Sequence, residues 1–357
     1  MNIAKRRVGS TGISVTELGF GAGTLGNLYR ALDDSEARAT ADAAIEAGIT
    51  YFDTAPFYGF GLSERRLGDA TRRCSDLVIS SKVGRLLVAD RLLAATETRD
   101  GFAAPLPFRV RYDYSYDGVM RSYEASLQRL GLARIDFLFV HDIGRMNLGD
   151  AHDQHWRDLV DGGGFRALGE LRESGAIAGF GLGVNETAVC MDAIAEADLD
   201  VILLAGRYTL LEQEALDDLL PTCVAKGISI VIGGPYNSGI LATGTKSEQP
   251  THYNYQLAPA PIVERVRRIE AVADSHGVSL PAAALQFPLA HPAVASVIPG
   301  MASPRQVQQS VELMREAVPE AFWRDLRQAG LIRADAPVPA LASSRDAERP
   351  PMVAESE

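Results

Sequence analysis

Short apolar runs alternate along this chain with longer stretches whose apolar positions recur at three- and four-residue spacing. The runs at 18–20, 50–53, 77–82, 135–141, 179–184, 201–205, 229–233 and 297–298 are rich in Val, Ile, Leu and Phe, and they predict eight buried strands. Between them the helical period predicts helices over 35–47, 63–72, 117–130, 165–174, 186–197, 216–225 and 262–276, an additional one over 279–290, and one opening at Ser303-Pro304. Met120, Tyr123, Leu127 and Leu130 give the third helix its stripe, and Gly131 stops it. Eight strands in strict alternation with helices predict an α/β chain, a parallel (β/α)8 TIM barrel. Lys5–Val8 and Ile13–Val15, joined through two glycines, predict a β-hairpin ahead of it.

Three segments do not fit the alternation. Residues 84–116, 142–164 and 235–261 predict long loops at the carboxyl-end mouth, where loops of this length are usually functional. Beyond residue 333 the composition turns to Ala, Pro, Ser and Glu. The expected organisation is one domain over 1–333 and a tail over 334–357, loose from residue 341 or draped in part over the mouth.

Composition narrows the function. A net charge of −11 argues against nucleic acid and other polyanions as partners. No apolar run approaches the roughly 20 residues of a membrane helix, and the first ten residues carry no hydrophobic signal region, so a cytoplasmic location is expected. Cys74, Cys190 and Cys223 have no metal or disulfide spacing and read as small buried residues. His152 and His155 stand three apart without further ligands and read as solvated loop histidines, so no metal is expected. Gly21 to Gly26 matches G-x-G-x-x-G, but the next helix opens only near Asp34, so the glycines read as a close-approach loop at the mouth and not as a dinucleotide fingerprint.

The candidate chemistry sits at strand ends. Asp53 ends the second strand, and Tyr58 follows in a turn enforced by Pro56, Gly59 and Gly61, with Ser63 as the expected cap of the next helix. Lys82 and His141 end the third and fourth strands. Each alone reads equally as the first solvated residue after a strand; their concurrence points to a site.

D-T-A-P-F-Y-G-F-G-L-S-E, then S-S-K-V-G, then S-L-Q-R-L-G-L-A-R-I-D-F-L-F-V-H-D resemble the aldo-keto reductase superfamily, from about Val8 to about Ala329. The resemblance implies a catalytic tetrad of Asp53, Tyr58, Lys82 and His141. In it Tyr58 carries the proton, with its pKa drawn from about 10 toward neutrality by Lys82; Asp53 holds Lys82, and His141 orients the reacting oxygen. It implies a nicotinamide cofactor, NAD with NADP possible, since Arg305 is the one cation near the expected 2′-phosphate position among Gly300, Met301, Gln306, Gln309 and Ser310. Expected cofactor contacts are Gly23, Thr24, Asn185, Gly233, Pro235, Asn237, Ser238, Gly239, Leu241, Pro299, Gly300, Ser303, Arg305 and Gln309. Val184, Ala205 and Gly233 depart from the family's Ser, Gln and stacking aromatic.

G-L-G-V-N-E, A-G-R-Y-T-L-L-E-Q and I-G-G-P-Y-N-S-G-I-L resemble the branch of aldose 1-dehydrogenases and pyridoxal 4-dehydrogenase. The implied reaction oxidises the anomeric hydroxyl of an aldose of L-fucose, D-arabinose or L-galactose type to a lactone. Pyridoxal as the small-molecule substrate, or an NADPH-dependent reduction of aldehydes on the same tetrad, is the alternative. A class I aldolase using Lys82 and a non-catalytic cofactor-sensing subunit are the competing classes. Oligomeric state is not legible.

Overall fold

The structure, a computed structural model, describes residues 3–94, 96–246 and 250–340. The part of the expected tail at 341–357 lies outside the described residues.

Eight parallel strands form one sheet in chain order: Phe20–Gly21, Tyr51–Asp53, Val78–Val83, Phe137–His141, Gly179–Val184, Val201–Ala205, Ser229–Gly233 and Val294–Ile298. Bridges Leu18 to Val297 and Gly21 to Gly300 join the first strand to the last, so the sheet rolls into the expected barrel. The alternating pleat divides the apolar residues between two cores. Inward-facing Tyr51, Val78, Phe137, Phe139, Val201, Leu203 and Val231 fill the barrel, while outward-facing Phe52, Ile79, Leu138, Val140, Ile202 and Ile230 pack under the helices.

The predicted hairpin is Lys5–Arg7 paired antiparallel with Ser14–Thr16. It plugs the amino end: Val8 and Val15 are fully buried in the interior cluster, and Arg6 donates to the Val294 carbonyl at 2.9 Å.

Four expectations need correction. The three insertions are not bare loops. The first pairs Arg85–Ala89 with Phe108–Tyr112 and carries a small hairpin, Thr98–Arg99 with Phe102–Ala103. The second is helical at Arg145–Leu148 and His152–Val160, and the third ends in a hairpin of His252–Tyr253 with Gln256–Leu257. His152 is consequently buried, its Nδ1 2.8 Å from the Ile143 carbonyl, and His155 packs on the rings of Tyr112 and Tyr114. Cys74 is exposed, because the helix before it ends at Thr71 and the chain turns through solvent. Ser63 does not cap its helix; it lies inside the first turn, and its hydroxyl donates to the Ala22 carbonyl at 2.6 Å, tying that helix to the first strand's loop.

A last helix, Glu320–Gln328, was not anticipated. It seats Phe322, Trp323 and Leu326 in the core, and the chain stays packed past residue 333, with Ala336 fully buried. No helix among the described residues is long and apolar enough to cross a membrane.

Candidate active site

Strand parity assembles the site. Tyr51 and Asp53, Val78, Ser80 and Lys82, and Phe137, Phe139 and His141 occupy alternate positions of three neighbouring strands. Register pairs Asp53 with Ser80 and Phe139 with Lys82. Asp53, Lys82 and His141 therefore face inward at the mouth, above the apolar filling. Gly183 on the next strand leaves room for the lysine, since a Cβ there would stand 3.3 Å from Lys82 Cε.

Lys82 Nζ donates to Asp53 Oδ2 at 2.6 Å and to the Thr54 carbonyl at 2.9 Å, and both partners of the ion pair are 2% exposed. Ser80 Oγ donates to Asp53 Oδ1 at 2.7 Å, which leaves the Tyr51 hydroxyl, 3.0 Å away, to donate to Ser80. A buried pair of this kind persists only where every oxygen is satisfied, and here both are. Burial pushes the Asp53 carboxyl up, and Lys82 and Ser80 pull it back.

Tyr58 reaches this pair through the predicted turn. Gly59, Phe60 and Gly61 take φ of 63°, 55° and 98°, a left-handed path in which glycine is at ease and Phe60 is strained. The Lys82 ammonium lies 4.6 Å from the centre of the Tyr58 ring. The His141 ring stands edge-on to Tyr58 at 5.9 Å, and the structure thus brings all four predicted residues together.

The phenol does not behave as anticipated. Burial holds its pKa well above 10, the carboxylates of Asp53 and Asp142 add to the rise, and only Arg85 opposes. Asp53 sits against the ammonium at 2.6 Å, so the phenol faces a nearly neutral pair instead of a bare cation. His141 is held neutral, its pKa far below 6.5 through burial and the charges of Arg85 and Lys82.

Sequence reasoning missed a second charged pair. Arg85 is 4% exposed and donates to Asp142 Oδ2 at 2.6 Å, and its guanidinium lies 4.4 Å over the Phe57 ring. The available signal was adjacency, since Arg85 directly follows the S-S-K-V-G motif and Asp142 ends the F-V-H-D motif. The rest of the wall is aromatic. Phe57, Phe60 and Phe102 contact one another, and Phe102 lies 6.2 Å from Tyr58. Tyr29 and Tyr255, both at positive φ, stand 63% exposed on loops anchored to Gly101 and Ser238.

The expected cofactor residues line the other half of the mouth. Gly234, Asn237, Ser238 and Gly239 all have positive φ, and no atom lies within 4 Å of where a Cβ on Gly239 would stand. A bare backbone of this kind suits a phosphate. Asn237 spends its side chain internally, accepting from Thr209 at 2.6 Å and donating to the Gly206 carbonyl at 3.1 Å. Pro235, Leu241 and Pro299 are buried and offer only backbone, as does Gly233 at the end of its strand. Asn185 stays near the rim, its Oδ1 accepting from Asn147 at 2.9 Å. Thr24, one residue beyond Gly23, donates to the Met301 carbonyl beside Gly300 at 2.6 Å. Ser303 caps the helix Pro304–Leu313, on which Arg305 and Gln309 are exposed. Among the described residues no cluster of His, Cys, Asp and Glu could hold a metal.

The Aldo/keto reductase family matches residues 17–330. Pyridoxal 4-dehydrogenase of Microbacterium luteolum is 48% identical over 92% of this chain and 98% of its own length. D-threo-aldose 1-dehydrogenase of a Pseudomonas species is 39% identical over 93% and 99%. L-galactose dehydrogenase of Arabidopsis thaliana is 30% identical over 88% and 89%. Among solved structures, the holo form of an aldo-keto reductase from Bacillus halodurans superposes with a TM-score of 0.70 at 26% identity, over 94% of this chain and 98% of that one.

Proposed function

The chain belongs to the aldo/keto reductase family, and on that premise we propose that it oxidises a cyclic hemiacetal to a lactone, with Tyr58 moving the hydroxyl proton. The observation that carries this reading is the Lys82 ammonium, held by Asp53 at 2.6 Å and lying 4.6 Å from the Tyr58 ring centre beside a neutral His141.

A nicotinamide cofactor, when bound, supplies the acceptor for the hydride that leaves the hemiacetal carbon. Tyr58 takes the proton of the reacting hydroxyl as the carbonyl of the lactone forms, and gives it back in the reverse direction. His141 donates a hydrogen bond to the same oxygen and fixes its orientation. Lys82, clamped by Asp53 and Thr54, stabilises the phenolate once it forms. Its engagement with Asp53 also makes it a poor amine nucleophile, which speaks against an aldolase.

The backbone from Gly233 to Gly239, with Gly23, Thr24, Asn185 and Gly300, would hold the cofactor. NAD is preferred with NADP tolerated. Arg305 makes no ion pair among the described residues, and Arg30, the other cation reaching this helix end, is spent on Glu36 at 2.8 Å.

The substrate is proposed to be a cyclic hemiacetal fused to a planar aromatic ring, of the pyridoxal type, with aldoses second. Phe102 lies 6.2 Å from Tyr58 and belongs to a cluster with Phe57 and Phe60, and the exposed Tyr255 interacts electrostatically with Tyr58 and Tyr29, whereas an aldose asks for several polar partners. The 48% identity to a pyridoxal 4-dehydrogenase supports the same order. A cytoplasmic location belongs to this proposal, and three unpaired cysteines support it. Following reduced-nicotinamide absorbance against pyridoxal and a panel of aldoses, with each cofactor in turn, tests it. Turnover of simple aldehydes with NADPH but of no hemiacetal would instead favour the reductase direction.

A further inference from the structure

His141 has one ring nitrogen, Nδ1, buried without a partner among the described residues, and the other, Nε2, 3.5 Å from Asp142 Oδ2. We propose that Asp142, kept in place by Arg85, fixes the tautomer of His141 with its proton on Nε2, and so makes that nitrogen the donor to the reacting oxygen.

Two independent features favour that tautomer. A carboxylate beside Nε2 attracts an N–H there and repels a lone pair. At Nδ1 the alternative would bury an N–H donor with nothing to receive it, which is rarer and costlier than an unused acceptor. The third state, imidazolium, is disfavoured because the ring is buried and the charges of Arg85 and Lys82 oppose it.

The backbone fixes Asp142 in this position. It sits at φ 47°, a left-handed conformation that aspartate tolerates better than most residues, and its backbone N–H donates to the Gly183 carbonyl at 2.9 Å. Arg85 grips Oδ2 through one nitrogen only, leaving its own Nε buried and unpartnered, while the Phe57 and Tyr112 rings lie 4.4 and 5.6 Å from the guanidinium. The contact between Nε2 and Oδ2 is too long for a full hydrogen bond, so a substrate oxygen can replace the carboxylate as acceptor without breaking one. Asp142 acts through His141 and is a positioning residue. The inference deepens the proposed hemiacetal oxidation, but its spectroscopic arm does not depend on that reading.

The test labels the histidines of the full chain with ¹⁵N and records the long-range proton–nitrogen correlations of each ring, with His141→Asn to assign the signal. The expected pattern for His141 is a protonated Nε2 and an unprotonated Nδ1. Asp142→Asn should move these signals toward a mixture of tautomers and lower kcat roughly tenfold, while KM for the cofactor stays within about twofold. The double variant Arg85→Met/Asp142→Leu, which leaves no unpaired buried charge, should do the same. A proton found on Nδ1 in the unaltered protein overturns the proposal. So do ring signals that stay fixed in both variants, or signals that move with kcat unchanged. If the unaltered protein turns over no hemiacetal, the functional reading fails while the nitrogen shifts still report the tautomer.

Discussion

The surroundings of Tyr58, proposed above as the base, would make it a reluctant one. Burial and two carboxylates hold the phenol above its ordinary pKa, so at neutral pH the free enzyme carries mostly the protonated form. Below that pKa the phenolate fraction grows tenfold per pH unit. Accordingly kcat/KM for oxidation should climb from about pH 7 to about pH 9.5, since that ratio reports the free enzyme. A flat profile over this window would remove Tyr58 as the base. Lys82→Met should abolish turnover and destabilise the fold by about 3–5 kcal/mol, because Asp53 is left buried without its partner. Adding Asp53→Asn should return most of that stability in urea unfolding and none of the activity. The four residues were legible in the sequence because Asp53, Lys82 and His141 end apolar runs and because the motifs around them and Tyr58 resemble those of the aldo-keto reductases. Arg85 and Asp142 were not, because nothing along the chain says that residue 85 folds back over Phe57 to meet residue 142.

The strands and most helices were readable from periodicity, and their ends fell within a few residues. The insertions were not. The first carries a strand signal in the alternation Phe108-Arg109-Val110-Arg111-Tyr112 and a turn signal in Asp100-Gly101, but its pairing of Arg85 with Tyr112 across 27 positions is a tertiary fact. Helix Glu320–Gln328 escaped notice for a different reason: its apolar residues Phe322, Trp323 and Leu326 span barely one turn, too short for a convincing period. The loop after the seventh strand is where an element's internal bonds meet function. Asn237 holds its left-handed φ of 45° while bonding Thr209 and Gly206. Asn237→Gly keeps the conformation and loses both bonds. It should cost about 1–3 kcal/mol in unfolding and weaken NAD roughly tenfold in a fluorescence titration. Unchanged affinity would show that this loop does not hold the cofactor.

For the whole molecule, the barrel keeps its apolar filling and its chemistry at opposite ends. The hairpin plug and the apolar filling close one end, and the four residues at the other end draw on that packing for their positions. A ligand that binds only the folded barrel must raise its stability, by about 2.7 kcal/mol at a concentration a hundredfold above Kd. NAD should therefore shift the thermal midpoint upward by more than NADP does at equal concentration. The reverse order would contradict the reading of Arg305 as too little cation for a 2′-phosphate.

The most direct measurement is the growth of reduced-nicotinamide absorbance when the protein meets pyridoxal or an aldose, run beside Tyr58→Phe as its control. The account predicts growth with at least one hemiacetal and a loss of about a hundredfold or more in the control, with cofactor affinity kept. No growth with any hemiacetal, or equal rates for protein and control, would contradict it.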